Sequence, residues 1–339
     1  MKSLLPLAVF VGISSLTSAQ NTDSSRQYFD KGMAELQAQR YLVATGYFNK
    51  AISFNPNNTQ ALIQNGYTYL HMYKSFEAKA SFEKALEQEP QNQAVIKELA
   101  TLYLNYRQFD KAIELAEKCN VCDNKDRILG IASYEREEYN KAVQYLEKAL
   151  EKNSQDAEAT YILGRTYMEM ELYQQAVGIY KKAVLLPDAK PLWYYELGLL
   201  QYNLEDYKSA LTSFRSAADK GYTATRDFKE NLGFACLYTG EYDYGESVLL
   251  SLLVDKPGNT DILRQIADIF YKNKLYDRSL GYCQKLLQMN EKDARALYQA
   301  GLCFQKKGQK DRGQKMCDKA IELDPSLEGL RKKKEMVGL

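Results

Sequence analysis

The chain has 339 residues, of which 26% are charged and 45% hydrophobic, and its formal net charge is +1. This near balance disfavours nucleic acid as the main partner, because binding to phosphates requires a strongly basic face. A single histidine, together with the lack of a Walker loop, a G-x-S-x-G elbow or a dinucleotide glycine pattern, disfavours catalysis and a histidine metal site. We therefore expect no catalytic residue, no metal and no cofactor.

The first 19 residues have the form of a secretory signal peptide. Lys2 precedes a mostly apolar run from Leu4 to Leu16, and residues 17–19 are small enough for a cleavage site. The run is too short to span a bilayer comfortably, and no later segment approaches twenty apolar residues. We expect export, with a mature chain that begins at Gln20. Such a start resembles exported proteins of Bacteroidetes-type bacteria, which implies the periplasm of a Gram-negative cell; an N-terminal tether in the inner membrane is the alternative.

After a short flexible lead-in expected at residues 20–24, one pattern of small and aromatic residues recurs nine times. In its clearest copy Gly164, Tyr173, Ala176 and Ala183 stand at positions 8, 17, 20 and 27, and the copies follow one another at about 34 residues. A repeat of this length determines the whole fold. The predicted units are 25–58, 59–92, 93–122, 123–156, 157–190, 191–225, 226–259, 260–293 and 294–326, followed by a capping helix and basic tail at 327–339.

The spacing of these positions predicts two amphipathic helices in each unit. Positions 4, 7, 8 and 11 share one helical face, and positions 20, 24 and 27 share another. Small residues at positions 8 and 20 allow two helices to cross closely, and the ring at position 17 is expected to pack beside position 8. Prolines such as Pro56 and Pro90 end units where the second helix must stop.

These residues resemble the tetratricopeptide repeat, a helix–turn–helix unit of 34 residues. The resemblance covers all nine units and implies an all-α, right-handed superhelical solenoid. The main departure is the third unit, which is four residues short and ends at Cys119 and Cys122.

Two interpretations of this C-x-x-C pair stay open. Cys119 occupies position 27, where a small core residue suffices, whereas a structural disulfide between Cys119 and Cys122 is plausible outside the cytoplasm. Haem attachment is disfavoured because Asp123 stands where a histidine is required. The other four cysteines fall at core positions, where buried thiols behave as small hydrophobes.

In the tetratricopeptide family, positions 2, 5, 9, 12 and 13 of the first helix line the concave groove. Here those positions are rich in tyrosine and arginine, which are enriched in binding hot spots. Two interpretations stay open: the rings pack against neighbouring first helices, or they form a largely exposed stripe that binds a partner. The groove candidates are Arg127, Tyr134, Tyr161, Arg165, Tyr195, Tyr202, Phe234, Tyr238, Arg264, Tyr271 and Tyr298.

The sequence thus predicts a non-catalytic, periplasmic protein-interaction scaffold that binds an extended protein or peptide segment in the concave groove. Its partner complex could be associated with the membrane or the cell envelope. Chaperone-binding members of the family carry Lys and Asn at positions 5 and 9 of one unit, and no unit here has that pair. The alternatives are a structural component of a larger envelope assembly, and a glycan or cell-wall binder that uses the tyrosines.

Overall fold

The computed structural model describes residues 9–254 and 258–329, with side chains from residue 21 onward. All regular structure in these ranges is helical, which confirms the all-α solenoid class. A 3₁₀-helix at Pro325–Leu327 follows the last α-helix. The α-helices are α1 Val9–Gln37, α2 Tyr41–Phe54, α3 Thr59–His71, α4 Ser75–Gln88, α5 Gln93–Asn105, α6 Phe109–Lys118, α7 Lys125–Glu135, α8 Tyr139–Lys152, α9 Ala157–Glu169, α10 Tyr173–Ala183, α11 Pro191–Asn203, α12 Tyr207–Asp219, α13 Arg226–Tyr238, α14 Tyr242–Ser251, α15 Thr260–Lys272, α16 Tyr276–Met289, α17 Ala294–Lys306 and α18 Lys310–Leu323.

Each predicted repeat contains one hairpin of two helices, such as α3 with α4 in repeat 59–92. The second helix also contacts the first helix of the following repeat, as α4 contacts α5. Residues 21–24, expected to be a flexible lead-in, are instead helical and belong to α1. Residues 1–8 and nearly all of the predicted capping helix lie outside the described part of the chain. In that part, no helix is long and apolar enough to cross a bilayer.

A polar residue at the end of one repeat starts the first helix of the next. Asn58, Asn92 and Asp156 each accept a hydrogen bond from the backbone N–H three residues ahead, at 3.0, 3.2 and 2.9 Å. Such N-caps satisfy a backbone donor that the helix leaves unpaired, and each stabilises the helix by about 1 kcal/mol. The caps therefore place the repeat boundaries.

Position 15 ends the first helix of every hairpin. The backbone there is left-handed, with φ of 90° at Gly240 and 86° at Gly308. At the same position, Glu171 and six other non-glycine residues take φ between 56° and 62°. Left-handed backbone breaks the helix and reverses the chain direction. The side chains that flank this position consequently lie at the outer edge of the array.

The small residue at position 8 lies beneath the side chain at position 24 of the same hairpin. A Cβ on Gly66 would be 2.6 Å from the ring of Phe82, and one on Gly198 would be 2.5 Å from Phe214. The prediction that the position-17 ring packs beside position 8 is therefore wrong, because the position-24 side chain occupies that place. In an antiparallel pair that turns at position 15, position 17 is opposite position 13, too close to the turn to reach position 8.

The described chain divides into two compact units, with the boundary between Ile179 and Tyr180 inside α10. The sequence pattern predicts one unbroken array and contains no signal for this division. The second unit holds two core clusters, one around Phe214 and Phe228 and one around Phe270.

Cys119 and Cys122 form a disulfide directly after the shortened helix α6. Cys119 is also buried, so it both fills position 27 and carries the crosslink. The four remaining cysteines are free thiols buried in the second unit. Burial raises the pKa of Cys236 to about 11 and that of Cys283 to about 12, which keeps these thiols protonated and unreactive at neutral pH.

Candidate functional site

The structure buries five of the eight aromatic groove candidates. The ring of Tyr195 lies 4.7 Å from that of Tyr222 and 5.5 Å from that of Phe228, and its hydroxyl accepts a hydrogen bond from Asn231 Nδ2 at 3.0 Å. The expectation of a largely exposed stripe is therefore wrong for these rings, and the packing interpretation applies to them. The buried candidates are Tyr134, Tyr161, Tyr195, Phe234 and Tyr298.

In the first unit, Arg165 joins two of these rings. Its guanidinium lies 5.3 Å from the ring centre of Tyr134 and 6.0 Å from that of Tyr161. A guanidinium over an aromatic face contributes about 0.5–2 kcal/mol. Burial also raises the pKa of Tyr134. These three candidates do come together, but they form a packed stack between first helices.

The other two arginine candidates connect successive repeats. Arg127 Nε lies 2.9 Å from Asp156 Oδ2, and Arg127 also pairs with Glu158. Arg264 Nη1 lies 2.9 Å from Asp293 Oδ1 in the same way. Both aspartates are N-caps of the next first helix. Because Asp293 is almost fully buried, removal of its arginine would leave a poorly solvated charge. Arg127 and Arg264 therefore hold repeats together.

Tyr202 and Tyr238 are half-buried and belong to an aromatic cluster of the second unit. Tyr238 stacks on Tyr207 with ring centroids 4.0 Å apart, and Tyr202 meets Tyr207 edge-on at 5.2 Å. Burial raises the pKa of Tyr202 above its ordinary value. The stacked pair lines a cavity of about 620 Å³, with Arg215 and Glu241 on its wall.

A second cavity, of about 330 Å³, opens in the groove between α15 and α17. Cys283 and Leu286 of α16 form its floor. The buried amide nitrogen of Gln299 has no hydrogen-bond partner among the described residues. The walls are polar: Arg264, Gln265 and Asp268 come from α15, and Arg295 and Gln299 come from α17.

This groove presents the chemistry that recognises a peptide backbone. A side-chain amide can donate to one carbonyl and accept from one N–H group, and an arginine can bind a carboxylate. In the described part of the chain no group of three or more His, Cys, Asp or Glu residues is arranged to hold a metal. The remaining candidate, Tyr271, is half-buried nearby, and burial raises its pKa to about 12.

Sequence reasoning missed both glutamines. They stand at position 6 of repeats eight and nine, 34 residues apart, as Gln265 and Gln299. This periodic pair is the signal that could have located them. Which of the polar first-helix positions border a cavity depends on the packing of α16 beneath them, and the sequence does not show that packing.

Comparisons with known proteins agree with the helical hairpins. A family model described as tetratricopeptide repeat matches residues 77–126 and 133–195, and a second one matches residues 294–327. The Hsp70-Hsp90 organizing protein of Triticum aestivum is 26% identical over 60% of this chain and 35% of its own length. A TPR repeat-containing protein of Methanocaldococcus jannaschii is 28% identical over 48% of this chain and 28% of its own length.

The chain thus spans about a third of the length of these curated relatives. Among solved structures, the C-terminal part of a TPR repeat-containing protein from Cytophaga hutchinsonii aligns over 70% of this chain and 99% of its own length. The identity is 17% and the TM-score is 0.50. At this identity the likeness supports the fold alone. Together with the repeated hairpins and their left-handed turns, the matched segments support a tetratricopeptide-repeat fold for this chain.

Proposed function

We propose that the protein is a non-catalytic interaction scaffold that binds an extended segment of a protein partner in the groove between α15 and α17. Tetratricopeptide-repeat domains generally mediate protein–protein interactions. The observation that carries this proposal is the buried amide nitrogen of Gln299, which has no partner among the described residues and borders a groove lined by Gln265 and Arg295. An unpaired buried donor costs about 1–3 kcal/mol, and a peptide carbonyl would remove that cost.

The charged residues of the groove indicate which side chains a bound peptide should carry. Arg264 is held by Asp293, so Arg295 is the arginine that can reach a bound segment. Asp268 on the opposite wall is already paired with Lys272 of the same helix at 2.7 Å. An extended peptide with one acidic side chain opposite Arg295 fits this arrangement better than a uniformly acidic one. The relative from wheat is named as an organizer of Hsp70 and Hsp90. The lack of the Lys and Asn pair, with Asp268 at position 9, disfavours a chaperone tail as the partner here.

Loss of the groove side chains should weaken peptide binding without unfolding the protein. A peptide selected from a displayed random library with the full chain would be measured by calorimetry against variants. We expect Gln299→Ala and Arg295→Ala each to raise Kd about 10- to 30-fold, since each removes a hydrogen bond to a desolvated partner group.

Lys315→Ala is the matched control. Lys315 is also exposed and lies on the second helix of the same repeat, outside the lining of the groove. The proposal fails if this control weakens binding as much as Arg295→Ala, or if both groove variants bind like the unaltered chain. Retention on cell-wall sugar that depends on Tyr207 and Tyr238 would instead favour a glycan.

We also propose that the scaffold works in the periplasm. The support is the apolar run Leu4 to Leu16 with small residues after it, the form of a cleavable signal. Protein isolated from its native cell should begin at or near Gln20 when its N-terminus is sequenced. An intact Met1 on protein from the soluble cytosol would contradict export.

A further inference from the structure

The turns between the two helices of each repeat form a row along one edge of the first unit. First helices of successive repeats contact each other, as α1 contacts α3 and α5 contacts α7, so their C-terminal ends lie side by side. We call positions 14–18 of repeats one to five the turn edge. These residues flank the left-handed position 15 and project outward from the array.

In repeats one and two the turn edge is apolar. Leu42 is 70% exposed and Phe76 is 67% exposed, both at position 18, and Tyr73 beside them is 95% exposed. Folding does not demand apolar residues there, because position 18 is polar in the other seven repeats. Those seven residues are Asp110, Asn140, Gln174, Lys208, Asp243, Asp277 and Asp311. Large exposed apolar side chains that cluster in this way mark an interaction surface.

The turns of repeats one to three carry positive charge. Arg40, Lys74 and Arg107 stand at position 15 or 16 of repeats one, two and three. The side chains of Arg40 and Arg107 are 62% and 69% exposed, whereas their carboxylate partners, Glu35 and Glu135, are only 19% and 22% exposed. These arginines are more exposed than their carboxylate partners, and with Asp110 as the one acidic residue of the three turns, this half of the turn edge keeps a net positive charge.

In repeats four and five the charge reverses. Glu137 and Glu138 occupy positions 15 and 16 of repeat four, and Glu171 occupies position 15 of repeat five. Next to Glu171, Leu172 and Tyr173 are 38% and 43% exposed. Arg136 at position 14 of repeat four pairs with Asp110 and Glu138, so this half keeps a net negative charge from Glu137 and Glu171, beside its own exposed apolar pair.

We propose that the turn edge binds a second copy of this chain, in an antiparallel, two-fold arrangement. The two complementary halves lie in one compact unit and follow each other in order. A two-fold rotation of one copy about an axis near the junction of repeats three and four places repeat two against repeat five and repeat three against repeat four. Lys74 then faces Glu171, Arg107 faces Glu137, and Phe76 packs with Leu172.

A second copy fits this surface better than an unrelated partner because both halves of the contact are present on the same surface. A two-fold contact is self-complementary, so each charge pair occurs twice. The four first helices that face each other in this arrangement, those of repeats two to five, are spaced at about 10 Å and extend over about 40 Å, a length that suits an interface of ordinary size. The groove between α15 and α17 is in the other unit, so this inference stands apart from the proposed peptide binding.

The test exchanges the charges of the two halves. Lys74→Glu with Arg107→Glu makes the whole edge acidic, and Glu137→Lys with Glu171→Lys makes it basic. Sedimentation velocity should show a dimer for the unaltered chain and a dimer dissociation constant raised at least about tenfold for each double variant. An equimolar mixture of the two variants should recover the dimer, because each contact again joins an acidic half to a basic half.

Two further variants complete the design. Phe76→Asp should also raise the dissociation constant at least about tenfold. Lys315→Glu with Lys319→Glu reverses two exposed charges of α18, away from the turn edge, and should leave dimerisation unchanged. Circular dichroism checks that every variant is folded. The proposal is overturned by an unaltered chain that stays monomeric at about 100 µM, where a dimer with a micromolar dissociation constant would be populated. Double variants that still dimerise, or a mixture that stays monomeric, would overturn it as well.

Discussion

Tyr195→Ala is expected to lower the free energy of unfolding by about 3–5 kcal/mol, the usual cost of removing a large buried aromatic side chain. The ring is 8% exposed and contacts Phe214, Tyr222 and Phe228. Its loss leaves a cavity between α11, α12 and α13 and removes the hydroxyl that accepts a hydrogen bond from Asn231. Urea denaturation followed by circular dichroism measures the effect.

The control is the same substitution at an exposed site of the same unit. Tyr244 lies on α14 and is 50% exposed, so Tyr244→Ala should change the free energy of unfolding by less than about 0.5 kcal/mol. If both variants lost equally little stability, Tyr195 would not be a core residue. That result would favour the interpretation that the groove rings form an exposed stripe that binds a partner.

Gly313→Ala is expected to destabilise the last hairpin by about 3 kcal/mol, the upper end of the usual cost of overpacking. A Cβ at Gly313 would be 2.5 Å from the carbonyl oxygen of Gly301 and 2.8 Å from the backbone nitrogen of Gln305. A side chain can rotate away from a clash, but these atoms belong to the backbone of α17. The two helices must therefore separate where they cross.

Hydrogen exchange should show where the damage lies. Because each repeat contacts only its neighbours, protection should fall in α17 and α18 and stay unchanged in α3 and α4. Gly281→Ala is the control, since a Cβ there meets nothing within 4 Å and alanine favours the helix by about 1 kcal/mol. Equal loss of protection at both ends of the chain would contradict a nearest-neighbour array.

Much of the fold could be predicted because local chemistry determines it. The small residues at positions 8 and 20 and the capping side chains such as Asn58 and Asp156 act within one or two turns of helix. Their spacing alone therefore predicts nine hairpins and most of the residues at which the first helices begin, although α1 begins at Val9, before the first predicted repeat, and α7 at Lys125. The sequence also offered the disulfide between Cys119 and Cys122 as one of two interpretations, because the two residues are three apart in a repeat that is four residues short.

Burial along the first helices was decided only by the tertiary structure. Tyr195 and Tyr202 both stand at groove positions, yet one is packed beneath Tyr222 and the other is half-buried beside Tyr207. Helical periodicity places a side chain on a face, but the neighbouring repeat determines how much of that face it covers. For the same reason the cavity at Gln299 and the division at Ile179 have no counterpart in the repeat pattern, because both depend on contacts between helices that are distant in the sequence.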